Sequence, residues 1–306
     1  ILGHGVRHLW SGPAQAPTEP YNEAFDRQLP FLRAGGQGLL RQAKIGIIGL
    51  GGIGSQLIEP LARVGIRHFV LIDPDRLELS NYSRVHGALP IDLPCGTTPG
   101  TQKVEMAKRL IHKINPAAIV TALPDDVAHG DAHRALLDCD FAFLAADTAE
   151  ARFVCNAVSN QFFVPMTQVG TKIVIAPDGT LQRVFGVVRQ IRPGSGCLWC
   201  NNLVDRAALA NSAKPKTRRI VEKYGAQTPT PAVVTFNRDV ASRSLNDFIM
   251  SYASDVVPLD RGYDYTLLDF VSGRREDVVA RRDAACPFCT TTGLLAHGDG
   301  ARVPTL

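Results

Sequence analysis

Short apolar runs alternate with amphipathic segments through the first half of the chain. Runs of four or five apolar residues predict buried strands, and apolar residues spaced three or four apart predict helices between them. The predicted strands are 45–49, 69–73, 118–122 and 141–145, and the predicted helices are 21–41 with an interruption near Gly35 and Gly36, 55–64, 102–114, 132–138 and 149–160. Strands that alternate with helices are typical of an α/β domain with a mostly parallel, Rossmann-like sheet and helices on both faces.

The pattern changes after Val164. Two strand-like runs flank the turn signal Pro177-Asp178-Gly179, which predicts an antiparallel hairpin. A long helix is predicted over 232–251, and further strands over 265–271 and 278–281. No linker divides the chain sharply, so we expect a loosely packed arm over 1–20 and one domain over 21–306, in which antiparallel strands extend the parallel sheet.

A glycine-rich stretch follows the first predicted strand. Residues 49–54, GLGGIG, match G-x-G-x-x-G, and Asp73 ends the second strand 19 residues after Gly54. Backbone N–H groups of such a loop bind phosphate, and an acidic residue at the end of the second strand accepts from a ribose hydroxyl. The loop glycines Gly49, Gly51, Gly52 and Gly54 therefore predict a nucleotide site. Taken alone they do not distinguish NAD from ATP, because both present ribose and phosphate to the same backbone.

Composition excludes several classes of protein. With 45% hydrophobic and 20% charged residues among 306, the chain has the make-up of an ordinary globular protein. Its 33 basic and 29 acidic residues give a net charge of +4, which provides no reason to expect a nucleic-acid or membrane-surface partner. No apolar run approaches the roughly 20 residues that a membrane-spanning helix needs.

Four of the seven cysteines form two CxxC pairs, Cys197 with Cys200 and Cys286 with Cys289. Each pair can present two thiolates to one tetrahedral Zn²⁺, and four thiolates leave no open position, so the pairs predict a structural zinc site. A redox-active dithiol is the alternative, although the surrounding sequence is unlike that of thioredoxin. Cysteines spaced as metal ligands also favour a reducing compartment, and we expect the cytoplasm.

Polar and charged residues follow the predicted strands. Asn81 and Arg84 come after the second strand, Lys103 opens the next helix, and Asp147 follows the strand over 141–145, while Arg27 lies upstream. Hydride transfer passes no charge onto phosphate, so a dehydrogenase has little use for several cations. Attack of a carboxylate on the α-phosphate of ATP brings two anions together, and Arg, Lys and Mg²⁺ lower that barrier. The set therefore favours ATP chemistry.

The chain resembles the ThiF/MoeB/HesA group, the adenylating core of ubiquitin-activating (E1) enzymes. The resemblance covers about residues 21–306 and rests on both CxxC pairs and on GLGGIGS, LIDPDRLELSNYSR, QKVEMAKRLIHKINP, AADTAEAR and TPAVVTFNRDVASRSLNDFI. It implies that the loop glycines line ATP, that Asp73 accepts from the ribose, and that the four cysteines bind zinc.

The same resemblance implies the catalytic roles. Asn81, Arg84 and Lys103 contact the phosphates, and Asp147 helps to hold Mg²⁺ near the α-phosphate. Arg27 resembles an arginine that the family supplies across a dimer interface, so a homodimer is implied. The implied reaction is adenylation of the C-terminal carboxylate of a ubiquitin-like protein or small peptide, giving an acyl-adenylate and pyrophosphate.

The chain departs from thioester-forming members of the group in its crossing loop. Residues 211–230 contain no cysteine, and the stretch YGAQTPTPAV before the long helix offers only the threonines Thr228 and Thr230, so we expect adenylation without a thioester there. An amine, a thiol or sulfide, or an E2-like protein would then accept the acyl group. The segment 87–100 is longer than the resemblance leads us to expect, and its Cys95 is the other position for a covalent intermediate.

Three alternatives to this reaction stay open at the level of sequence. The first is an inactive, nucleotide-binding scaffold subunit, against which the presence of Arg84, Lys103 and Asp147 argues. The second is an ATP-driven dehydratase or cyclase of the same family. The third is an NAD-dependent oxidoreductase, which would leave these cations and the cysteine pairs without a purpose.

Overall fold

The computed structural model describes residues 22–193, 195–212, 231–253 and 262–305. The predicted arm over 1–20 and residues 213–230 of the predicted crossing loop, with Thr228 and Thr230, lie outside this part of the chain. The strands of the described part are β1 (Lys44–Ile48), β2 (His68–Ile72), β3 (Ile119–Leu123), β4 (Phe141–Leu144), β5 (Met166–Ile175), β6 (Leu181–Ile191), β7 (Tyr265–Asp269) and β8 (Arg274–Val278). They form one sheet in the order β3-β2-β1-β4-β5-β6-β7-β8.

The first half of the sheet is parallel and the second half antiparallel. Strands β3, β2, β1, β4 and β5 run parallel to their neighbours, as the alternation of strands and helices predicts. The predicted hairpin at Pro177-Asp178-Gly179 joins β5 to β6 in antiparallel register, with Gly179 at a φ of 85°. Strands β7 and β8 continue the sheet in the same way. The predicted fold class is confirmed.

Six helices flank this sheet within the described residues: α1 (Leu29–Gln42), α2 (Gly54–Arg63), α3 (Lys103–Ile114), α4 (Ala149–Phe162), α5 (Arg206–Ser212) and α6 (Val234–Tyr252). Residues 132–138, predicted as helical, form a 3-10 helix over Ala132–Leu136. No helix among the described residues has the length and hydropathy that a membrane span requires.

Buried apolar side chains cover both faces of the sheet. Phe69 and Val70 are neighbours in β2 and belong to opposite clusters, because successive side chains of a strand point to opposite faces. Helices α2, α3 and α6 pack on the face of Phe69, and α4 packs on the face of Val70 together with the segments that carry the CxxC pairs. The sheet therefore has helices on both sides.

Two local predictions were wrong in position. The interruption expected in the first helix near Gly35 and Gly36 lies at Arg33, whose φ is 56°. Gly36 instead allows α1 to approach Ala253, since a Cβ at Gly36 would run into the carbonyl oxygen of Ala253. The last strand, expected over 278–281, is Arg274–Val278. Its polar, mostly exposed residues carry no apolar signal, and its position follows from the turn after β7, in which Gly273 has a φ of 68°.

Candidate active site

The glycine loop lies in a crevice at the carboxyl ends of β1 and β4. These neighbouring strands continue into helices on opposite faces of the sheet, because α2 follows β1 and α4 follows β4. Such a change of direction opens a cleft between the two connections, where parallel α/β sheets commonly bind ligands. Ala145 and Ala146, which follow β4, contact Gly49 and form the other wall of this crevice.

The positions of the glycine loop require glycine for different structural reasons. Gly49 has a φ of 85°, and a Cβ there would lie 2.7 Å from the Ala146 nitrogen. A Cβ at Gly54 would run into the carbonyl oxygen of Gly49, so these two glycines let strand and helix pack closely. A Cβ at Gly51 would meet nothing within 4 Å. Gly51 therefore faces open space, as expected where a ligand approaches the backbone.

Asp73 holds the loop in place. The residue is 5% exposed, and its carboxylate accepts from the Leu50 nitrogen at 2.6 Å and from the Asp75 nitrogen at 2.8 Å. Burial raises the pKa of Asp73, while the charge of Lys103 opposes that rise. The predicted contact of Asp73 with a ribose stays a prediction. The bonds to Leu50 and Asp75 leave room for it, because each carboxylate oxygen can accept more than one hydrogen bond.

Lys103 opens α3 and is buried at 7% exposure. Its Nζ lies 2.7 Å from Asp75 Oδ2 and 3.8 Å from Asp73 Oδ1. A cation at a helix N-terminus is disfavoured by the helix dipole, so these carboxylates are what keep the ammonium there. The Asp75 side chain is 64% exposed, which makes it a partner that a phosphate can replace.

Arg84 and Asn81 belong to the turn after β2. The Arg84 side chain lies beside the loop, with its Cδ 3.5 Å from the position of a Cβ at Gly52, and its Nη1 donates to the Ser80 carbonyl. Asn81 is 7% exposed and accepts from the Glu78 nitrogen at 3.2 Å. The structure thus brings Arg84 to the glycine loop, whereas Asn81 shapes the turn that carries Arg84.

Asp147 follows β4 and is exposed. It directly precedes Thr148, whose hydroxyl accepts from the Ala151 nitrogen and caps α4. Because Ala145 and Ala146 touch Gly49, Asp147 lies at the edge of the same crevice. An exposed carboxylate beside a phosphate-binding loop fits Mg²⁺, which prefers oxygen ligands and is usually held by one or two carboxylates together with substrate phosphates.

Arg27 is the predicted site residue that the chain does not bring to the crevice. The next residue, Gln28, donates through its Nε2 to the carbonyl of Val64, just past the C-terminus of α2. The glycine loop lies at the N-terminus of α2, and a ten-residue helix is about 15 Å long. Arg27, which is exposed, therefore lies at the far end of α2 from its own glycine loop.

The structure adds Asn237, which the sequence reasoning missed. Asn237 lies in α6, is 2% exposed, and accepts from the Thr171 hydroxyl at 2.7 Å. A Cβ at Gly52 would run into its side-chain amide. The available signal was a polar residue on the buried face of a helix, three residues before Val240.

A neighbouring network connects α6 to α2. The Arg238 Nε donates to Gln56 Oε1 at 3.0 Å, and its Nη2 lies 3.3 Å from His86 Nδ1. His86 Nε2 lies 2.7 Å from Glu59 Oε2. The two contacts of Arg238 hold the start of α6 beside the glycine loop, although each joins residues that are more than 150 positions apart in the sequence.

The four predicted zinc ligands converge on one point. The Sγ atoms of Cys197, Cys200, Cys286 and Cys289 all lie within 4.8 Å of one another, and all four residues are buried. Three of the pairs are separated by 3.5, 3.6 and 3.7 Å. A tetrahedral Zn²⁺ with bonds of about 2.3 Å places its sulfurs about 3.8 Å apart, so the set fits zinc.

The chemistry of the thiols also fits a metal. Burial raises the pKa of Cys197, and it raises that of Cys289 to about 12. At neutral pH these two thiols are therefore protonated unless a cation displaces their protons. Backbone N–H groups of Asp283 and Phe288 donate to Cys200 and Cys286 at 3.4 Å each, and such bonds stabilise thiolates.

Helix α4 connects the cysteine cluster to the crevice. The Leu198 nitrogen donates to Asn156 Oδ1 at 2.9 Å. Trp199 and Phe288, which lie inside the two CxxC pairs, pack on Phe153 with ring centroids 6.1 and 5.4 Å away. Since Asp147 lies just before this helix, the cluster supports the element that positions the carboxylate.

The sequence of this chain is similar to known proteins over most of its length. It matches a family model described as the ThiF family over residues 25–244. It is 29% identical over 156 residues to the SAMP-activating enzyme E1 of Haloferax volcanii, covering 48% of this chain and 55% of that protein. It is 37% identical over 89 residues to a tRNA threonylcarbamoyladenosine dehydratase of Haemophilus influenzae, covering 29% of this chain and 32% of that protein.

The chain thus spans about half or less of the length of these two relatives. Among solved structures, the fold is similar to that of E. coli MccB crystallised with ATP, with a TM-score of 0.62 at 20% identity. This likeness covers 90% of the present chain and 76% of MccB. At that identity it shows a shared fold.

Proposed function

The chain belongs to the ThiF family, and on that premise we propose that it uses ATP to adenylate a carboxylate. A carboxylate oxygen attacks the α-phosphorus, a new P–O bond forms, and the bond to the β-phosphate bridging oxygen breaks. The products are an acyl-adenylate and pyrophosphate. The observation that carries the proposal is one crevice that joins a ligand-accessible glycine loop to two cations and an exposed carboxylate.

The cations answer the main difficulty of the reaction, which is the approach of an anion to a triphosphate. In the proposal, Arg84 and Lys103 bind phosphate oxygens and offset this repulsion. Lys103 leaves Asp75 for the nucleotide, because Asp75 is exposed while Asp73 stays buried beside the ammonium. Asn81 supports the turn of Arg84 and, in the proposal, also contacts phosphate.

Mg²⁺ would be held by Asp147 together with the nucleotide, and when bound it withdraws electron density from the α-phosphate. Asp73 accepts from the ribose in addition to its bonds with the loop. Zn²⁺ is held by the four cysteines and stabilises the fold. Four thiolates leave it no open position for chemistry.

The proposed acyl substrate is the C-terminal carboxylate of a ubiquitin-like protein or a peptide. The relative in Haloferax volcanii is a SAMP-activating enzyme E1, which supports a protein substrate. The dehydratase relative favours a second candidate, a dehydration. In this candidate we propose that the crevice uses ATP in the same way, with a substrate oxygen attacking the α-phosphorus. In either case we propose a cytoplasmic enzyme that forms no thioester in the crossing loop.

We further propose a homodimer in which Arg27 completes the site of the other subunit. The support is the position of Arg27, which lies at the far end of α2 from its own glycine loop yet is exposed. A single chain cannot bring its guanidinium to its own nucleotide, so the arginine serves catalysis only across an interface.

The test is ATP–pyrophosphate exchange with the purified chain, Mg²⁺ and a panel of small proteins and peptides with free C-termini. Asp147→Ala should reduce exchange by at least about 100-fold, because a group that acts mainly in the transition state is lost. Zinc content and the unfolding midpoint should not change. Asp138→Ala is the matched control and should keep full exchange. Asp138 is an exposed aspartate like Asp147, but it lies before β4, whereas Asp147 lies after it.

Two results would contradict the proposal. One is a wild-type chain that binds ATP but supports no exchange with any member of the panel, which would favour the scaffold alternative. The other is exchange that survives Asp147→Ala, which would remove the assigned role of that carboxylate.

A further inference from the structure

Two arginines on the α4 side of the sheet carry buried nitrogen atoms that have no hydrogen-bond partner among the described residues. Arg189 in β6 is 6% exposed, and its Nε and Nη1 are both without a partner. Arg152 lies in the first turn of α4, and its Nε is without a partner, while its Nη1 donates to the Leu203 carbonyl at 3.3 Å. Neither side chain has a carboxylate within salt-bridge distance in the described part of the chain.

The register places Arg189 on the face that α4 covers. Arg189 is opposite Gln168 of β5, and Gln168 is opposite Leu144, the last residue of β4. Ile191 and Met166, two residues from Arg189 and Gln168, pack in the same cluster as α4. Because side chains alternate along a strand, Arg189 points toward α4 and Arg152.

The two guanidinium groups are close enough to interact. Burial is the main reason why the pKa of Arg189 is lowered, and the charge of Arg152 contributes in the same direction. Tyr265 lies across the strand from Arg189, with its ring centroid 3.8 Å from the guanidinium carbon. Tyr265 attracts the cation and hydrogen-bonds to it, and the charge of Asp264 also favours it. Asp264, however, forms its ion pair with Arg192, at 3.0 Å.

A buried cation that forms no ion pair is costly, and a second cation beside it adds repulsion. The two arginines lie close to the crevice. Arg189 is in register with Gln168 and Leu144, and Leu144 is three residues from Asp147. The charge of Asp147 acts on Arg152, although burial still lowers the pKa of that arginine. An anion from outside the described chain would complete the pair.

The position of the two arginines indicates which anion binds between them. The proposed phosphate ligands Arg84 and Lys103 follow β2 and begin α3, so they lie on the β2 side of the glycine loop. Arg189 lies beyond β5 as seen from β4, and Arg152 lies in the first turn of α4, which follows Asp147. A group that reaches the α-phosphate from the side opposite to the triphosphate passes over β4 and β5, and in the proposed reaction that group is the attacking carboxylate.

We propose that Arg152 and Arg189 form a subsite for the free carboxylate of the acyl substrate, which they hold beside Asp147 before it attacks ATP. This inference rests on the proposed function. The pair offsets the charge of the carboxylate during its approach to ATP. Once the acyl-adenylate forms, the carboxylate charge is gone, so the pair binds the activated acyl group less tightly and leaves it accessible to the acceptor.

The experiment compares a synthetic peptide that ends in Gly-Gly as the free acid and as the C-terminal amide. Binding of each is measured by calorimetry on the full chain saturated with α,β-methylene ATP and Mg²⁺. The wild type should bind the acid about 10-fold tighter than the amide or more, as expected for charge-assisted hydrogen bonds. Arg152→Gln and Arg189→Gln should each abolish this preference while the affinity for the ATP analogue stays unchanged.

Arg183→Gln is the matched control, because Arg183 lies in the same strand as Arg189 and is exposed. It should keep the preference for the acid. A second readout separates binding from a structural role: without ligand, Arg189→Gln should unfold at the same temperature as the wild type or higher, since a buried, uncompensated charge is removed.

Three results would overturn the subsite. They are equal binding of acid and amide by the wild type, weaker binding of the ATP analogue by both variants, and a lowered unfolding midpoint with the acid preference intact. Absence of pyrophosphate exchange in a wild type that still prefers the acid would contradict the proposed function and leave the subsite standing.

Discussion

The cysteine cluster and the glycine crevice both contact α4 or the residues just before it, yet they differ in what completes them. The cluster places four buried sulfurs within 4.8 Å of one another, an arrangement that fits one metal ion and leaves no open position on it. The crevice has an exposed Asp147, an open space at Gly51 and a lysine whose nearest partner is itself exposed. A closed set of ligands stabilises a fold, whereas an open set leaves room for a reaction.

The two regions are nevertheless connected. Asn156 and Phe153 of α4 contact the first CxxC pair, and Thr148 caps the same helix next to Asp147. Loss of the metal is therefore expected to disturb the position of Asp147, but loss of Asp147 is not expected to disturb the metal. Three sets of substitutions separate the closed cluster from the open crevice, in order from the largest expected effect to the smallest.

The largest effect is expected from Cys286→Ser, which removes one of the four ligands. Zinc binding should fall steeply and the free energy of unfolding by more than about 4 kcal/mol, because metal binding and folding are coupled. Measured zinc content and the unfolding midpoint check this. Cys155→Ala is the control: Cys155 is equally buried but lies outside the cluster, so the variant should keep its zinc. Equal zinc loss in both variants would show general unfolding.

An intermediate effect is expected inside the glycine loop, where two glycines act differently. Gly54→Ala should lower the free energy of unfolding by about 1–3 kcal/mol or more, because its Cβ would run into the carbonyl of Gly49. Gly51→Ala should leave stability nearly unchanged, since its Cβ meets nothing within 4 Å, but should weaken ATP binding about 10-fold or more. Titration with a fluorescent ATP analogue and thermal unfolding separate the two; equal stability losses would contradict the contrast.

The smallest effect concerns pH and the pair of Lys103 and Asp73. The pKa of Asp73 is raised from 3.8, mainly by burial, so its contribution to stability is present at low pH and is lost as pH rises through the folded-state pKa. Lys103→Met removes the charge that limits this rise. The variant should therefore lose more stability than the wild type as the pH rises from about 4 toward 7, because its folded state holds the Asp73 proton more tightly.

Unfolding midpoints measured across that range check the pH prediction. Lys113→Met, at the other end of α3, is the control and should show the pH dependence of the wild type. A gap between Lys103→Met and the wild type that stays constant with pH would mean that Lys103 does not act through Asp73.

Much of the fold was predictable because its signals are local. The apolar runs of β1, β2 and β4, the turn at Pro177-Asp178-Gly179 and the CxxC spacing each involve a few adjacent residues. The prediction failed where such signals were missing: β8 is polar and exposed, and Gly36 is a contact point with Ala253 rather than a break in α1.

For the site, the sequence alone determined the glycine loop, the cysteine ligands and the polar residues at the strand ends, because strand order brings those ends to one edge of a parallel sheet. Only the tertiary structure decided that Arg27 lies at the far end of α2, that Asn237 contacts Gly52, and that Arg152 faces Arg189. These relations join residues 37 to 185 positions apart. Such contacts depend on how helices pack across the sheet, which no local spacing records.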